Sequence, residues 1–76
     1  MNSRPSGAQL AAARELLGWS TSTVAGMIGR AIKSVQMQER QLGSLATADR
    51  LIALYEAHGV EFLSDGQVRI KTGGAK

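Results

Sequence analysis

The side chains that most often carry out catalysis or bind metal ions are scarce in this 76-residue chain. It has one histidine, His58, no cysteine, and six carboxylates that are scattered along the sequence. Because no second ligand lies near His58 in sequence, it is most simply a helix-terminal histidine that interacts with the negative helix end. No glycine-rich phosphate-binding loop is present either. We therefore expect no enzyme activity, no catalytic or metal site, no cofactor and no small-molecule ligand.

Positive charge is concentrated in the first half of the chain. Residues 1–45 contain five basic and two acidic residues, a net charge of +3, whereas residues 46–76 contain four of each and are neutral. Such a bias favours a polyanionic partner such as nucleic acid. Cations also occur on ordinary solvated helix faces, so charge alone raises this expectation only slightly.

The length of the chain limits it to one domain, residues 1–76, with a thin hydrophobic core. A hydrophobic fraction of 43% and a charged fraction of 20% are typical of a folded protein. Without cysteine, the core must gain support from close helix packing, from self-association or from both. No apolar run approaches the roughly 18 residues of a membrane span. We expect a cytoplasmic protein with no membrane partner.

Capping patterns predict two helices in the first part of the chain. The segment Ser6–Gln9 fits a capping box and predicts a helix over about residues 7–17. A second helix is predicted from Thr21 to Ile28 and ends at Gly29, which separates it from a third helical stretch. Two short helices joined by a turn with one glycine make a helix-turn-helix candidate.

Helical spacing continues in the middle of the chain. The third helical stretch carries the apolar residues Ile32, Val35 and Leu42. A fourth helix is predicted to have Thr47 as its N-terminal cap. Its buried stripe consists of Leu51, Leu54 and Tyr55.

After Gly59 the apolar spacing changes from helical to alternating, which indicates strands. Asp65-Gly66, between two such runs, is the strongest short signal for a β-hairpin turn. A hairpin by itself is marginal in water, so its apolar face must pack on helices or on a second subunit. The apolar residues of that face are Val60, Phe62, Val68 and Ile70. Residues 72–76 are expected to form a flexible tail.

Over about residues 8–58 the sequence resembles the lambda repressor and Cro-like (XRE-type) family of helix-turn-helix regulators. In that family an arginine late in the first helix forms an ion pair with a glutamate near the end of the third, which here are Arg14 and Glu39. The small residue of the second helix matches Ala25, and the turn glycine matches Gly29. The resemblance implies a mainly α fold: a four-helix lambda repressor-like helical core over residues 6–58 with a C-terminal β-hairpin over residues 59–71.

The resemblance also implies a sequence-specific transcriptional regulator that binds double-stranded DNA and places its third helix in the major groove. The positions that match the family's base-reading residues are Ile32, Lys33, Gln36 and Met37. The hydroxyl-bearing positions that match its phosphate-binding residues are Thr21 and Ser34. On charge alone, Arg30 and Arg40 are reasonable phosphate partners as well.

Two positions depart from the family's pattern. The family usually has an apolar residue after the turn glycine and another before the glutamate, whereas this chain has Arg30 and Gln38. Because an unpaired charge in a core is costly, we expect either that the third helix is rotated to expose both side chains or that Met37 takes over part of the packing. Ala31 also replaces the usual serine cap, a loss of about 1 kcal/mol.

A two-fold dimer acting as a repressor or autoregulator on an inverted-repeat operator is expected, because one short recognition helix reads only a few base pairs. One possible interface uses the loop before the fourth helix and that helix, with Leu45, Leu51 and Tyr55. The favoured interface uses the apolar hairpin face: Val60, Phe62, Val68 and Ile70. The simpler alternative is that Phe62 covers helices of its own subunit.

The rival to a DNA-binding regulator is a protein-binding module, such as an antiactivator or adaptor that keeps the helix-turn-helix scaffold. Arg30 and Gln38 are the residues that keep this alternative open. It predicts a sizeable exposed apolar patch and no salt-dependent DNA binding, whereas a regulator predicts a positive face around the third helix.

Overall fold

The structure is a computed structural model that describes residues 4–71 of the chain. Within that range, four α-helices are followed by one two-stranded antiparallel hairpin, which confirms the predicted order of elements and a mainly α architecture. The expected tail, residues 72–76, lies outside the described residues. The elements are α1 (Gly7–Leu16), α2 (Thr21–Ile28), α3 (Ile32–Glu39), α4 (Leu45–Ala57), β1 (Val60–Phe62) and β2 (Val68–Ile70).

Serine side chains cap three of these helices. The Ser6 hydroxyl accepts from the Gln9 N–H at 3.1 Å while the Gln9 side chain accepts from the Ser6 N–H at 2.9 Å, so the predicted capping box is present. Ser20 caps α2, since its hydroxyl accepts from the Thr23 N–H at 3.1 Å. The prediction of Thr47 as the cap of α4 is wrong, because Ser44 takes that position and accepts from the Thr47 N–H at 3.2 Å.

The third helix is shorter than its apolar spacing predicted. It ends at Glu39, and Gln41 follows with a φ of 64°, a left-handed conformation that does not continue a helix. The Leu42 N–H still donates to the Met37 carbonyl at 2.8 Å, but the Leu42 side chain points to solvent and is 65% exposed. The prediction that Leu42 extends the apolar stripe of this helix is therefore wrong.

Every helix and the first strand contribute to one hydrophobic core. Two alanines, Ala13 and Ala25, let the helix backbones approach closely, and the half-buried Trp19 packs against the edge of the cluster. Among the described residues, the buried members are Leu10, Ala13, Val24, Ala25, Ile28, Val35, Leu51, Tyr55 and Val60. Leu54, predicted for the buried stripe of α4, is only half-buried.

The hairpin turn is longer than the two residues predicted. Phe62 pairs with Val68, and the Leu63 N–H donates to the Gln67 carbonyl at 2.9 Å, so residues 64–66 form the loop. Gly66 has a φ of 92° and donates its N–H to the Leu63 carbonyl, the arrangement of a tight turn followed by a bulge glycine.

The apolar face of the hairpin packs on its own subunit. Val60 is buried in the core, and Phe62, Val68 and Ile70 are half-buried against it. The Gln9 side chain on α1 donates to the Leu63 carbonyl at 2.8 Å, which ties the loop to α1. Phe62 thus packs on its own subunit, as the simpler alternative expects, and a dimer through the part of this face that stays exposed remains a prediction. Of the residues named for the other interface, Leu51 and Tyr55 are fully buried in their own subunit, whereas Leu45 is exposed.

Candidate nucleic-acid interface

The two helices of the predicted helix-turn-helix are joined by a three-residue turn, residues 29–31. Gly29 adopts the left-handed conformation, with φ 69° and ψ 34°, that few residues other than glycine tolerate. The Arg30 N–H then donates to the Ala25 carbonyl at 3.0 Å, and Ala31 is extended with no side-chain cap for α3. Because Ala25 is small and buried, α2 and α3 pack closely on either side of this turn.

An ion pair fixes the far end of α3. Arg14 Nε donates to Glu39 Oε2 at 2.8 Å and Arg14 Nη2 to Glu39 Oε1 at 3.3 Å, with both side chains largely buried. This places Arg14 and Glu39 in the pairing that the resemblance implied. The hydrogen bond that Arg14 donates to Glu39 raises the pKa of Arg14, although burial acts in the opposite direction. The third nitrogen, Nη1, donates to the Trp19 carbonyl at 3.0 Å, so one guanidinium joins α1, the segment after it, and α3.

Fixing both ends of α3 determines which of its faces meets solvent. Val35 points into the core and is fully buried. The positions i, i+1, i+4 and i+5 of a helix share one face, and this is the spacing of the expected base-reading residues. The structure brings all four together on the solvent-exposed face: Ile32, Lys33, Gln36 and Met37. Ser34 lies beside them and is half-buried.

The surface around this face carries positive charge, and few carboxylates are near it in the sequence. Residues 16–38 contain no aspartate or glutamate. Arg30 in the turn, Lys33 on α3 and Arg40 after α3 are all exposed. The carboxylate at the end of the helix, Glu39, is already paired with Arg14. The expected phosphate partner Thr21 is the first residue of α2, where backbone N–H groups are also free of helical partners.

Arg30 and Gln38 are accommodated in different ways, so neither of the two expected arrangements holds. Arg30 is exposed in the turn, without any rotation of α3. Gln38 is only 5% exposed, but its side-chain Nε2 donates to the Ser44 carbonyl at 2.6 Å. Gly43 leaves the space for this amide, since a side chain there would collide with it. Met37 stays on the exposed face and does not replace the packing of Gln38.

One further cation lies beside the turn, and sequence reasoning did not single it out. Arg50, on α4, donates from Nη1 to the Ile28 carbonyl at 3.2 Å. That carbonyl belongs to the last turn of α2, where carbonyl groups lack helical partners. The exposed Arg50 therefore caps α2 from a distant part of the chain and adds positive charge at the C-terminal end of α2, just before the turn. Only the packing of α4 against α2 reveals this, and no local spacing signals it.

No competing site is evident in the part of the chain that the structure covers. In residues 4–71 no cluster of three or more histidine, cysteine or acidic side chains could hold a metal ion. None of the helices in that range has the length and apolar character needed to cross a bilayer. Because no protein-family model matches the chain, and no match is found among curated proteins or solved structures, the function of this face rests on its own geometry and charge.

Proposed function

We propose that the protein is a sequence-specific, double-stranded-DNA-binding transcriptional regulator that places α3 in the major groove. The observation that carries this proposal is the outer face of the helix-turn-helix. The exposed side chains of α3 follow one helical spacing. Four exposed cations lie on or around this face: Arg30, Lys33, Arg40 and Arg50. Between residues 16 and 40 the only carboxylate is that of Glu39, which is paired with Arg14. A DNA backbone attracts such a surface, and a major groove admits a helix of this size.

The exposed face of α3 carries the chemistry that base edges require. Lys33 can donate to O6 and N7 of guanine, and Gln36 can pair with N6 and N7 of adenine. Ile32 and Met37, both exposed although apolar, can contact the methyl group of thymine. These contacts read sequence, because each base pair presents a distinct pattern in the major groove.

Phosphate contacts come from the rim of that face and position the helix without reading bases. Arg30 and Arg40 lie at the two ends of α3 and supply charge. Thr21 and Ser34 supply hydroxyl groups, and the N-terminus of α2 supplies backbone N–H groups. Each cation that neutralises a phosphate adds about one unit to the slope of log affinity against log salt.

A regulator with one eight-residue recognition helix reads few base pairs, so we propose that it acts as a homodimer on an inverted repeat. Half-sites then lie about 34 Å apart, one turn of DNA. Repression of its own or a neighbouring promoter in the cytoplasm is the role that such a small regulator fits. A helix-turn-helix adaptor that binds protein is the second candidate, favoured by two exposed leucines, Leu42 and Leu45.

Selection of bound sequences from a random DNA pool at moderate salt tests the proposal. We expect one motif with inverted-repeat symmetry to be enriched. On that motif, Lys33→Ala and Gln36→Ala should each cost about 1–3 kcal/mol and relax the preference at one base position. Arg40→Ala should weaken all sequences alike and lower the salt slope by roughly one. The matched control is Lys71→Ala, an exposed lysine at the end of the hairpin, which should change neither.

Two results would contradict this assignment. If no sequence is enriched, the regulator fails and the protein-binding adaptor takes its place. If Lys33→Ala and Gln36→Ala reduce binding to random DNA as much as to the enriched motif, those two side chains do not read bases.

A further inference from the structure

Two apolar side chains stand in the middle of a cationic surface. Ile32 and Met37 on α3 are 43% and 37% exposed, and neither belongs to the hydrophobic core. Exposed cations lie between them on the helix, at Lys33, and beyond its two ends, at Arg30 and Arg40. An apolar protein partner would leave these cations unpaired, whereas a polyanion pairs them. The partner that this face fits is therefore a polyanion that also presents small apolar groups.

The major groove of DNA presents one apolar group of this kind, which is the methyl group at C5 of thymine. Phosphates flank the groove, so charge surrounds apolar groups in DNA as it does on this face. A methyl group at C5 of cytosine occupies the same place on its base pair. 5-Methylcytosine thus offers the apolar contact of thymine together with the hydrogen-bonding pattern of cytosine.

Helical spacing places each apolar side chain beside a polar one. Ile32 and Gln36 are four residues apart on α3, as are Lys33 and Met37. Residues at this spacing have Cβ atoms about 5–6 Å from each other, which corresponds to between one and two base-pair steps of about 3.4 Å. Neighbouring side chains can therefore make a hydrogen bond to a purine and a contact to a methyl group on the same or the next base pair.

The face has little else with which to recognise cytosine. The side chains that typically accept from the cytosine amino group are carboxylates, and residues 32–37 contain none. The next carboxylate in the sequence, Glu39, is bound by Arg14. An unmethylated cytosine offers only a C–H at C5, so its methyl group decides whether the apolar side chains gain a contact. Met37 suits this role because its unbranched side chain adapts to the group that it contacts.

We propose that Ile32 and Met37 read the C5 methyl group of a pyrimidine whether thymine or cytosine carries it, so that cytosine methylation in the operator strengthens binding. This inference rests on the proposed function. Burial of one methyl group against these side chains strengthens binding about fourfold. On an inverted repeat the same contact occurs in both half-sites, and two methyl groups together strengthen binding about 16-fold. An enzyme that methylates cytosine in the operator thereby regulates its occupancy.

Four versions of one base pair test this inference with the intact chain. In the motif enriched from random DNA, each pyrimidine position is made in turn as thymine, uracil, cytosine and 5-methylcytosine, with the matching purine opposite. Titration by fluorescence anisotropy gives two ratios of affinity, thymine over uracil and 5-methylcytosine over cytosine. Each ratio compares duplexes that differ by one methyl group per half-site contact, so we expect both ratios to be about four at the same position.

Substitutions assign the contact to the two side chains. Ile32→Ala or Met37→Ala should bring both ratios to about one at the position that the side chain faces. Leu16→Ala is the matched control and should keep both ratios, because Leu16 is also exposed and apolar but lies at the end of α1. Each ratio is measured within one protein, so a change in the stability of a variant does not alter it.

The possible results separate this inference from the proposed function. If a motif is enriched but both ratios stay below about two at every position, the methyl reading is refuted and the regulator stands. The same follows if neither alanine variant lowers the ratios. A thymine ratio of about four without a matching 5-methylcytosine ratio also overturns the inference, because recognition would then be specific to thymine. If no motif is enriched, the proposed function fails and the methyl reading fails with it.

Discussion

The hydroxyl group of Tyr55 offers a direct test of how the core is built. Tyr55 is 0% exposed, and its hydroxyl has no hydrogen-bond partner within residues 4–71. Its ring packs beside Trp19 and Phe62, each with a centroid separation of 6.4 Å. A buried hydroxyl without a partner costs about 1–3 kcal/mol. Tyr55→Phe keeps the ring and removes that cost, so we expect its unfolding free energy at neutral pH to rise by about 1 kcal/mol.

Alkaline pH should enlarge the difference between the two proteins. Burial raises the pKa of Tyr55 to about 12, with a further increase from Glu39 and an opposing effect of Arg14. The unfolded chain loses the same proton near about pH 10. Between these values the folded state keeps a proton that the unfolded state has lost, so stability falls as pH rises by about 1.4 kcal/mol per unit. Over the whole window the loss approaches about 3 kcal/mol, and Tyr55→Phe lacks it.

Urea unfolding followed by far-ultraviolet circular dichroism, at neutral pH and at several values above about pH 10, measures this difference. All other side chains are the same in both proteins, so their effects cancel in the comparison. Tyr55 is the chain's only tyrosine, and its tyrosinate absorbance reports the ionisation directly. A stability difference that stays constant from neutral to alkaline pH would refute the reasoning, as would loss of stability in Tyr55→Phe at neutral pH.

Three other substitutions test local features of the fold and of the interface. Gly7→Ala should lower the unfolding free energy by about 1–3 kcal/mol, because a Cβ there collides with carbonyls at the end of α3. Gly26→Ala, in open space on α2, should instead raise the unfolding free energy by up to about 1 kcal/mol. Ser44→Ala should cost about 1 kcal/mol in thermal or urea unfolding by removing the cap of α4. Arg50→Gln should weaken binding to all DNA sequences and lower the salt slope by roughly one, with Arg69→Gln on the hairpin as its control.

Local rules predicted those helix ends whose signals lie within a few residues. The capping box at Ser6 and the left-handed Gly29 depend only on neighbouring backbone groups, so the sequence revealed them. The start of α4 was misplaced because two hydroxyl residues, Ser44 and Thr47, both satisfy the cap rule. The intervening Leu45 gave no help, since it is exposed and does not extend the buried stripe.

In the candidate site, too, features that depend on neighbouring residues could be predicted, whereas those that depend on distant contacts could not. Helical spacing was enough to group Lys33 and Gln36 on one face, but the identity of the outward face depends on Val35 packing inward. The burial of Gln38 could not be predicted, because its acceptor is the Ser44 carbonyl, which the loop after α3 brings back to it. Arg50 was missed for a similar reason, since its partner on α2 lies 22 residues away in sequence.

The Arg14 guanidinium makes separate parts of the chain open together. It holds the Trp19 carbonyl and the Glu39 carboxylate from α1, and releasing Glu39 separates two poorly hydrated charges. In hydrogen exchange we therefore expect the amides at the end of α3 to open together with α1. Under the proposed function, a helix held in this way meets DNA already ordered, so we expect little of its conformational entropy to be lost on binding.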